Sequence, residues 1–127
     1  MRRGEIWTVA AGGGYVGKPR PAVIVQADDF ADLPSLAVCG LTTDPTPAPL
    51  LRIEVMPSES NGLHSPCRIM VDKVLTGPKA KVGFRIGALD EGDLIRLNQA
   101  LIVFLGIAIS PRSQRRSVRA AVTPKRA

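Results

Sequence analysis

Aromatic residues are scarce in this chain: one Trp, one Tyr and three Phe among 127 residues. That scarcity argues against a nucleic-acid binder that works by stacking successive bases on an aromatic face. A single histidine, His64, excludes a two-histidine acid–base relay within one chain. With only Cys39 and Cys67 beside it, a zinc site has too few ligands. Both cysteines sit in apolar segments and read as buried free thiols in a reducing cytoplasm, with a disulfide between them as the alternative. No apolar run reaches the ~18 residues of a spanning helix, so no membrane contact is expected. The opening "MRRGEIWTVA" is short for a secretory signal, and Glu5 interrupts it. A Walker-type phosphate loop is absent too: in "GGGYVGKP" the lysine is followed by proline, not by Ser or Thr, and no helix follows. Asp28, Asp29 and Asp32 cluster, but without a recognised ligand spacing. The reading is therefore of a protein with no metal and no cofactor.

The formal charge of +6 is unevenly placed. Residues 1–109 hold eleven Lys or Arg and eleven Asp or Glu, so that part is neutral. The excess lies in "SPRSQRRSVRAAVTPKRA", with five arginines, one lysine and no acid. The sequence thus divides into a folded domain over 1–109 and a basic tail over 110–127, expected to be disordered and either suited to non-specific contact with a polyanion or a solvated end with no role.

What the chain does have is a series of short apolar runs between Gly- and Pro-rich breaks, followed by one amphipathic segment. Strands are expected at Glu5–Ala10, Pro21–Ala27, Ser35–Thr43, Leu50–Met56, Cys67–Leu75 and Arg85–Leu89, from β-branched content and flanking turn residues. Such spacing predicts a mainly β (α+β) fold, a small, strongly bent sheet or barrel. The segment "DEGDLIRLNQALIVFLG" predicts a C-terminal helix. Asp90 is its natural N-cap, Glu91 and Asp93 favour its positive end, and Gly106 supplies its stop. Leu94, Leu97, Leu101 and Phe104 fall on one face. Ile95, Ile102, Val103 and Leu105 widen the apolar sector, part of it for the core or part for a surface covered by a second copy of the chain.

The stretch "GYVGKPRPAVIVQADDF" places Arg20 between Pro19 and Pro21. Proline fixes its own φ and biases its predecessor toward extended geometry, so Arg20 is the best-restrained cation in the sequence. A restrained guanidinium suits a phosphate or carboxylate. Thr42 and Thr43 end another strand. Glu5 is a charged candidate for a base, or else a surface carboxylate.

The pieces "RRGEIWTV", "GKPRPAVIVQADDF", "LAVCGLTTDP", "CRIMVDKVLTGPKAKVGFRIGAL" and "LIRLNQALIVFLGIA" occur together and in order over nearly all of residues 2–108. In this the chain resembles the MazF/PemK family of toxin endoribonucleases. The resemblance implies an SH3-like barrel of five to seven short strands with a C-terminal helix, a homodimer, and metal-independent, sequence-specific cleavage of single-stranded RNA. It implies a cognate antitoxin with an acidic segment as partner. The family's functional pair, an arginine before proline and a Ser/Thr at the end of the third strand, falls on Arg20 and Thr42, with Thr43 as the neighbouring option. Lys18, Tyr15, Thr43 and Gln26 become candidate substrate contacts, and Gly12–Lys18 a flap over the RNA. The alternative is a catalytically inactive small barrel that binds nucleic acid or an antitoxin-like partner. The basic tail extends beyond the family's usual ending.

Overall fold

Short β-branched runs alternate their side chains across a sheet, and here the central strands bury a different set on each face. A computed structural model describes residues 1–10, 18–48 and 50–107. It contains strands β1 (Glu5–Val9), β2 (Arg20–Ile24), β3 (Ser35–Thr42), β4 (Arg52–Val55), β5 (Cys67–Pro78) and β6 (Val82–Ala88), then helix α1 (Glu91–Phe104). All pairings are antiparallel, in the order β4-β5-β3-β2-β1-β6. The strand number falls in the expected range of five to seven. The expected barrel, however, is an open six-stranded sheet, with β4 and β6 as its two edges.

The sheet bends where β5 carries extra residues. Cys39 faces Val74 and Leu41 faces Ile69, so two steps along β3 are answered by five along β5. A bulge of this kind twists the strand pair sharply. The strand limits differ from expectation by three residues in three places. β2 stops at Ile24, because Ala27 leads into a 3₁₀ turn at Asp28–Phe30. β5 runs on to Pro78 along β3. β6 begins at Val82, three residues earlier than its apolar core suggests, because the Phe84 amide donates to Thr8 Oγ1 and ties the strand to β1.

One face of the sheet carries the main core: Ile6, Val23, Cys39, Leu41, Ile53, Val55, Cys67, Ile69 and Val71, capped by Leu97 and Leu101 of α1. The helix begins as predicted, with the Asp93 amide donating to Asp90 Oδ1 at 2.7 Å. It ends at Gly106, whose φ of +68° allows the Ile107 amide to reach Ile102 O. Phe104 departs from the expected face. It is exposed, together with Ile102, Val103, Leu105 and Ile107. Leu97 and Leu101 are the helix residues fully buried where α1 packs against β4 and β5, with Leu94 and Ala100 partly buried beside them.

The opposite face carries a second cluster: Ala22, Ile24, Leu36 and Val38, with Trp7, Val9 and Val82 packed on it. Cys39 and Cys67 are free and buried, as the sequence suggests. Burial pushes the Cys39 thiol up to about 11, and that of Cys67 upward as well. His64 sits exposed in the loop before β5, also as expected. No helix among the described residues is long and apolar enough to cross a membrane.

Candidate active site

Alternation along β2 and β3 decides which side chains share a surface. Ala22 and Ile24 lie on the second face, so Arg20, two residues earlier, projects from that face too. Leu36 and Val38 lie there as well, which puts Gly40 and Thr42 in the same row. Ala22 faces Gly40, Val23 faces Cys39 and Ile24 faces Val38. Carried two residues outward, that register sets Arg20 across from Thr42. Pro21 has no N–H, so the β2–β3 ladder ends at Ala22–Gly40 and the two residues stand at its open mouth. Arg20 is exposed, and on its other side it pairs with Val9 of β1. Next to it the sheet forms an apolar hollow of about 320 Å³, walled by Val9, Leu36, Val38, Leu75 and Val82 among others.

Thr42 faces Arg68 of β5. Its Oγ1 accepts from the Asp44 amide at 3.1 Å, which leaves the hydroxyl hydrogen to donate outward. The Asp44 carbonyl in turn accepts from Arg68 Nη1 at 3.0 Å. Its carboxylate accepts from the Thr46 hydroxyl and amide, and these bonds hold the Asp44 carboxyl below its ordinary range. Arg68 also meets Glu54 Oε2 at 3.3 Å. Beside them Arg52 pairs with Asp72 at 3.3 Å. The row Arg68–Met70–Asp72 thus shares the face of Arg20 and Thr42. Gly40 belongs to this design, since a Cβ there would lie 2.8 Å from the Met70 methyl carbon. Arg68 escaped the sequence reading. It sits in an ordinary strand, and only the pairing of β5 with the end of β3 brings it beside Thr42.

Thr43 is exposed just past Thr42, and Lys18 is exposed two residues before Arg20, so both border the same mouth. Tyr15 and the proposed flap lie outside the described residues, apart from Lys18 at its end. Gln26 is not brought to this mouth. It lies beyond the opposite end of β2, where its amide donates to Phe30 O at 3.0 Å and accepts from the Ala37 amide at 3.3 Å. That side chain closes the β2–β3 connection.

Glu5 is neither a base candidate nor a plain surface carboxylate. Its side chain is 17% exposed and meets Arg85 Nε at 3.0 Å. It also accepts from the Arg2 amide and the Trp7 indole. Burial alone would raise its pKa, but these donors outweigh burial and hold it down to about 2. A carboxylate so strongly committed to its ionised form is a weak proton acceptor at neutral pH. Of the acidic trio, Asp28 accepts from the Arg3 amide and pairs with Arg2.

The fold is that of known toxin structures. An endoribonuclease in complex with its cognate antitoxin from a mycobacterial species superposes with a TM-score of 0.69 at 22% identity, covering 87% of this chain and 99% of that one. A MazE-MazF structure from Deinococcus radiodurans gives a TM-score of 0.70 at 14% identity, over 85% and 98% of the two chains. The family described as "PemK-like, MazF-like toxin of type II toxin-antitoxin system" matches residues 2–105, and the chain belongs to it. At the sequence level it is 49% identical over 108 residues to the probable endoribonuclease MazF of Mycolicibacterium smegmatis, which spans 85% of this chain and 99% of that relative.

Proposed function

We propose that this protein is the endoribonuclease toxin of a toxin–antitoxin pair, cutting single-stranded RNA in the cytoplasm with Arg20 and Thr42 at the scissile phosphate. The observation that carries the reading is the shared mouth at the end of the β2–β3 ladder. There a proline-framed guanidinium and a hydroxyl with a spare hydrogen point from one face. In the reaction the ribose 2′-oxygen attacks the adjacent phosphorus and the 5′-oxygen leaves, giving a 2′,3′-cyclic phosphate and a 5′-hydroxyl. The 2′-OH gives up its proton, and the departing 5′-oxygen gains one. Charge builds on the non-bridging oxygens between those events. Arg20 can meet two of those oxygens with two N–H groups, and Thr42 donates one hydrogen bond. An arginine stays protonated at any working pH, so Arg20 stabilises charge and does not carry protons. Lys18 and Thr43 flank the strand of RNA. No step in this scheme calls for a metal ion.

Membership of the toxin family and the solved complexes of related folds with antitoxins support a cognate antitoxin as partner. The apolar hollow beside Arg20 gives its chain a place to bury side chains, and an acidic segment would meet Arg20 as a phosphate does. The exposed apolar end of α1 supports a homodimer.

The test is cleavage of a long single-stranded RNA in EDTA, with mapping of the ends. Wild type should leave cyclic phosphates at a short recurring sequence. Arg20→Ala should lose about 10²–10³ in rate while keeping its thermal melt. Normal cutting by that variant overturns the assignment.

A further inference from the structure

The two sides of the mouth are braced differently. On β2, Arg20 stands between Pro19 and Pro21, whose rings restrain the backbone covalently. On β3 no proline adjoins Thr42. The ladder of β3 with β2 ends at Gly40, and its ladder with β5 ends at Thr42 itself. The chain then leaves the sheet, so the Thr42 side chain is set by the turn that follows. Its Oγ1 accepts from the Asp44 amide at 3.1 Å. Such a closure selects one position for a side chain that is already stiff at χ1.

That turn is gripped from β5. Arg68 Nη1 donates to the Asp44 carbonyl at 3.0 Å, and Arg68 Nη2 donates to Glu54 Oε2 at 3.3 Å. A guanidinium is a planar fork, so a carboxylate on one nitrogen aims the other at the carbonyl. The amide that fixes Thr42 and the carbonyl that Arg68 holds belong to the same residue, Asp44. Its carboxylate serves the next step of the chain, where Oδ1 accepts from the Thr46 amide at 2.9 Å and the Thr46 hydroxyl at 2.7 Å. We propose that Arg68 is a positioning residue of the site: by holding the Asp44 carbonyl it fixes the turn that aims the Thr42 hydroxyl at the scissile phosphate. The inference rests on the endoribonuclease reading, which places that phosphate at Thr42.

Without Arg68 the Asp44 amide loses its fixed place, and Thr42 turns among the other staggered χ1 positions. A displacement of about 1 Å in a reacting geometry can cost about 10²-fold in rate. The loss cannot exceed that of removing the hydroxyl itself. Because Arg68 acts through Thr42, its effect on kcat must vanish once the hydroxyl is gone. Any attraction of its charge for RNA appears in KM instead and survives the loss of Thr42.

The experiment has two arms, both on the full chain. In the first, kcat and KM for cleavage of a single-stranded RNA are measured for wild type, Arg68→Ala, Thr42→Val and the double variant. Arg68→Ala should lower kcat about 10- to 100-fold, and in the Thr42→Val background it should lower kcat no further. Arg68→Lys should recover part of the loss, since an ammonium still donates to the Asp44 carbonyl but lacks the fork. The lysine variant carries the same cycle if the alanine variant does not fold. An unchanged kcat in Arg68→Ala overturns the proposal and leaves the endoribonuclease reading intact. An equal loss of kcat in both backgrounds overturns it too, since a merely structural arginine acts whether or not Thr42 is present. In the second arm, NMR measures the three-bond couplings from the Thr42 γ-methyl carbon to its backbone nitrogen and carbonyl carbon. Wild type should show one χ1 rotamer, and Arg68→Ala an average over several. Identical couplings overturn the proposal. If wild type cuts no RNA, the endoribonuclease reading fails by itself, and the second arm still decides whether Arg68 fixes the Thr42 side chain.

Discussion

Arg20 and Glu5 show how differently two charged residues of this chain read from sequence. The prolines around Arg20 are a local cue, and local cues survive without a fold. Glu5 gives no such cue. Its partners Trp7 and Arg2 are near in sequence, but Arg85 lies 80 residues away, and its role emerges only when β6 pairs with β1. Its lowered pKa makes a prediction. The folded value of about 2 lies below the ordinary 4.5, so ionised Glu5 stabilises the fold fully above pH 4.5 and loses that contribution as pH falls toward 2. Glu5→Gln should therefore melt below wild type at neutral pH, and the gap should close by about pH 2. Melting curves at four or five pH values check this, and a gap independent of pH rejects it. Thr42 allows a second test at the same scale. Thr42→Ser keeps the hydroxyl and should cut RNA close to the wild-type rate. Thr42→Val should fall by about 10²–10³, the usual loss for one preorganised donor. Equal activity in Ser and Val variants would remove Thr42 from the site.

Among the elements, the helix was the most legible, because its cap, its first-turn acids and its stop are all written within a few residues. Asp90→Ala should cost about 1 kcal/mol, the usual worth of a side-chain N-cap, and thermal denaturation measures it. The helix's inner face was only half legible. Periodicity assigns Phe104 to the row of Leu97 and Leu101, but in the fold it is exposed. The start of β6 was illegible for another reason. Val82 to Phe84 look like loop residues, and a hydroxyl on β1 recruits them. The long loop before β5 is held by Asn61, which is 2% exposed. Its carbonyl oxygen accepts from the Ser58 and Leu63 amides, and its nitrogen donates to Met56 O. Gly87 lies against this loop, and a Cβ there would come within 2.4 Å of the Asn61 backbone. Gly87→Ala should destabilise by about 1–3 kcal/mol, as other forced overpacking does. A melt within a degree of wild type would show that the loop yields freely.

For the whole molecule, charge and apolar surface make separate demands. The balance of acids and bases over residues 1–109 means that, in the proposed reaction, attraction for RNA would have to be local, with Lys18, Arg20 and Arg68 as its candidates. The six cations of residues 110–127 would add a non-specific term. Removing those residues should flatten the dependence of RNA binding on salt, by up to about 0.7 in slope for each lost phosphate contact, and should leave the cleavage sequence unchanged. A shifted cleavage sequence would assign those residues a part in recognition. The exposed Ile102, Val103, Phe104, Leu105 and Ile107 predict a dimer by light scattering. Val103→Asp should favour the monomer if this end of α1 lies in the interface.

By itself the sequence determined the mainly β character of the chain, the helix with both its ends and the restraint on Arg20, since each follows from residues within one turn or one strand of each other. Tertiary structure alone decided that the sheet stays open and that Gln26 closes a connection far from the mouth. It alone brought Arg68 and Glu54 beside Thr42. These outcomes depend on strand register and on the bulge in β5, which are fixed by contacts between residues tens of positions apart and leave no mark on their immediate neighbours.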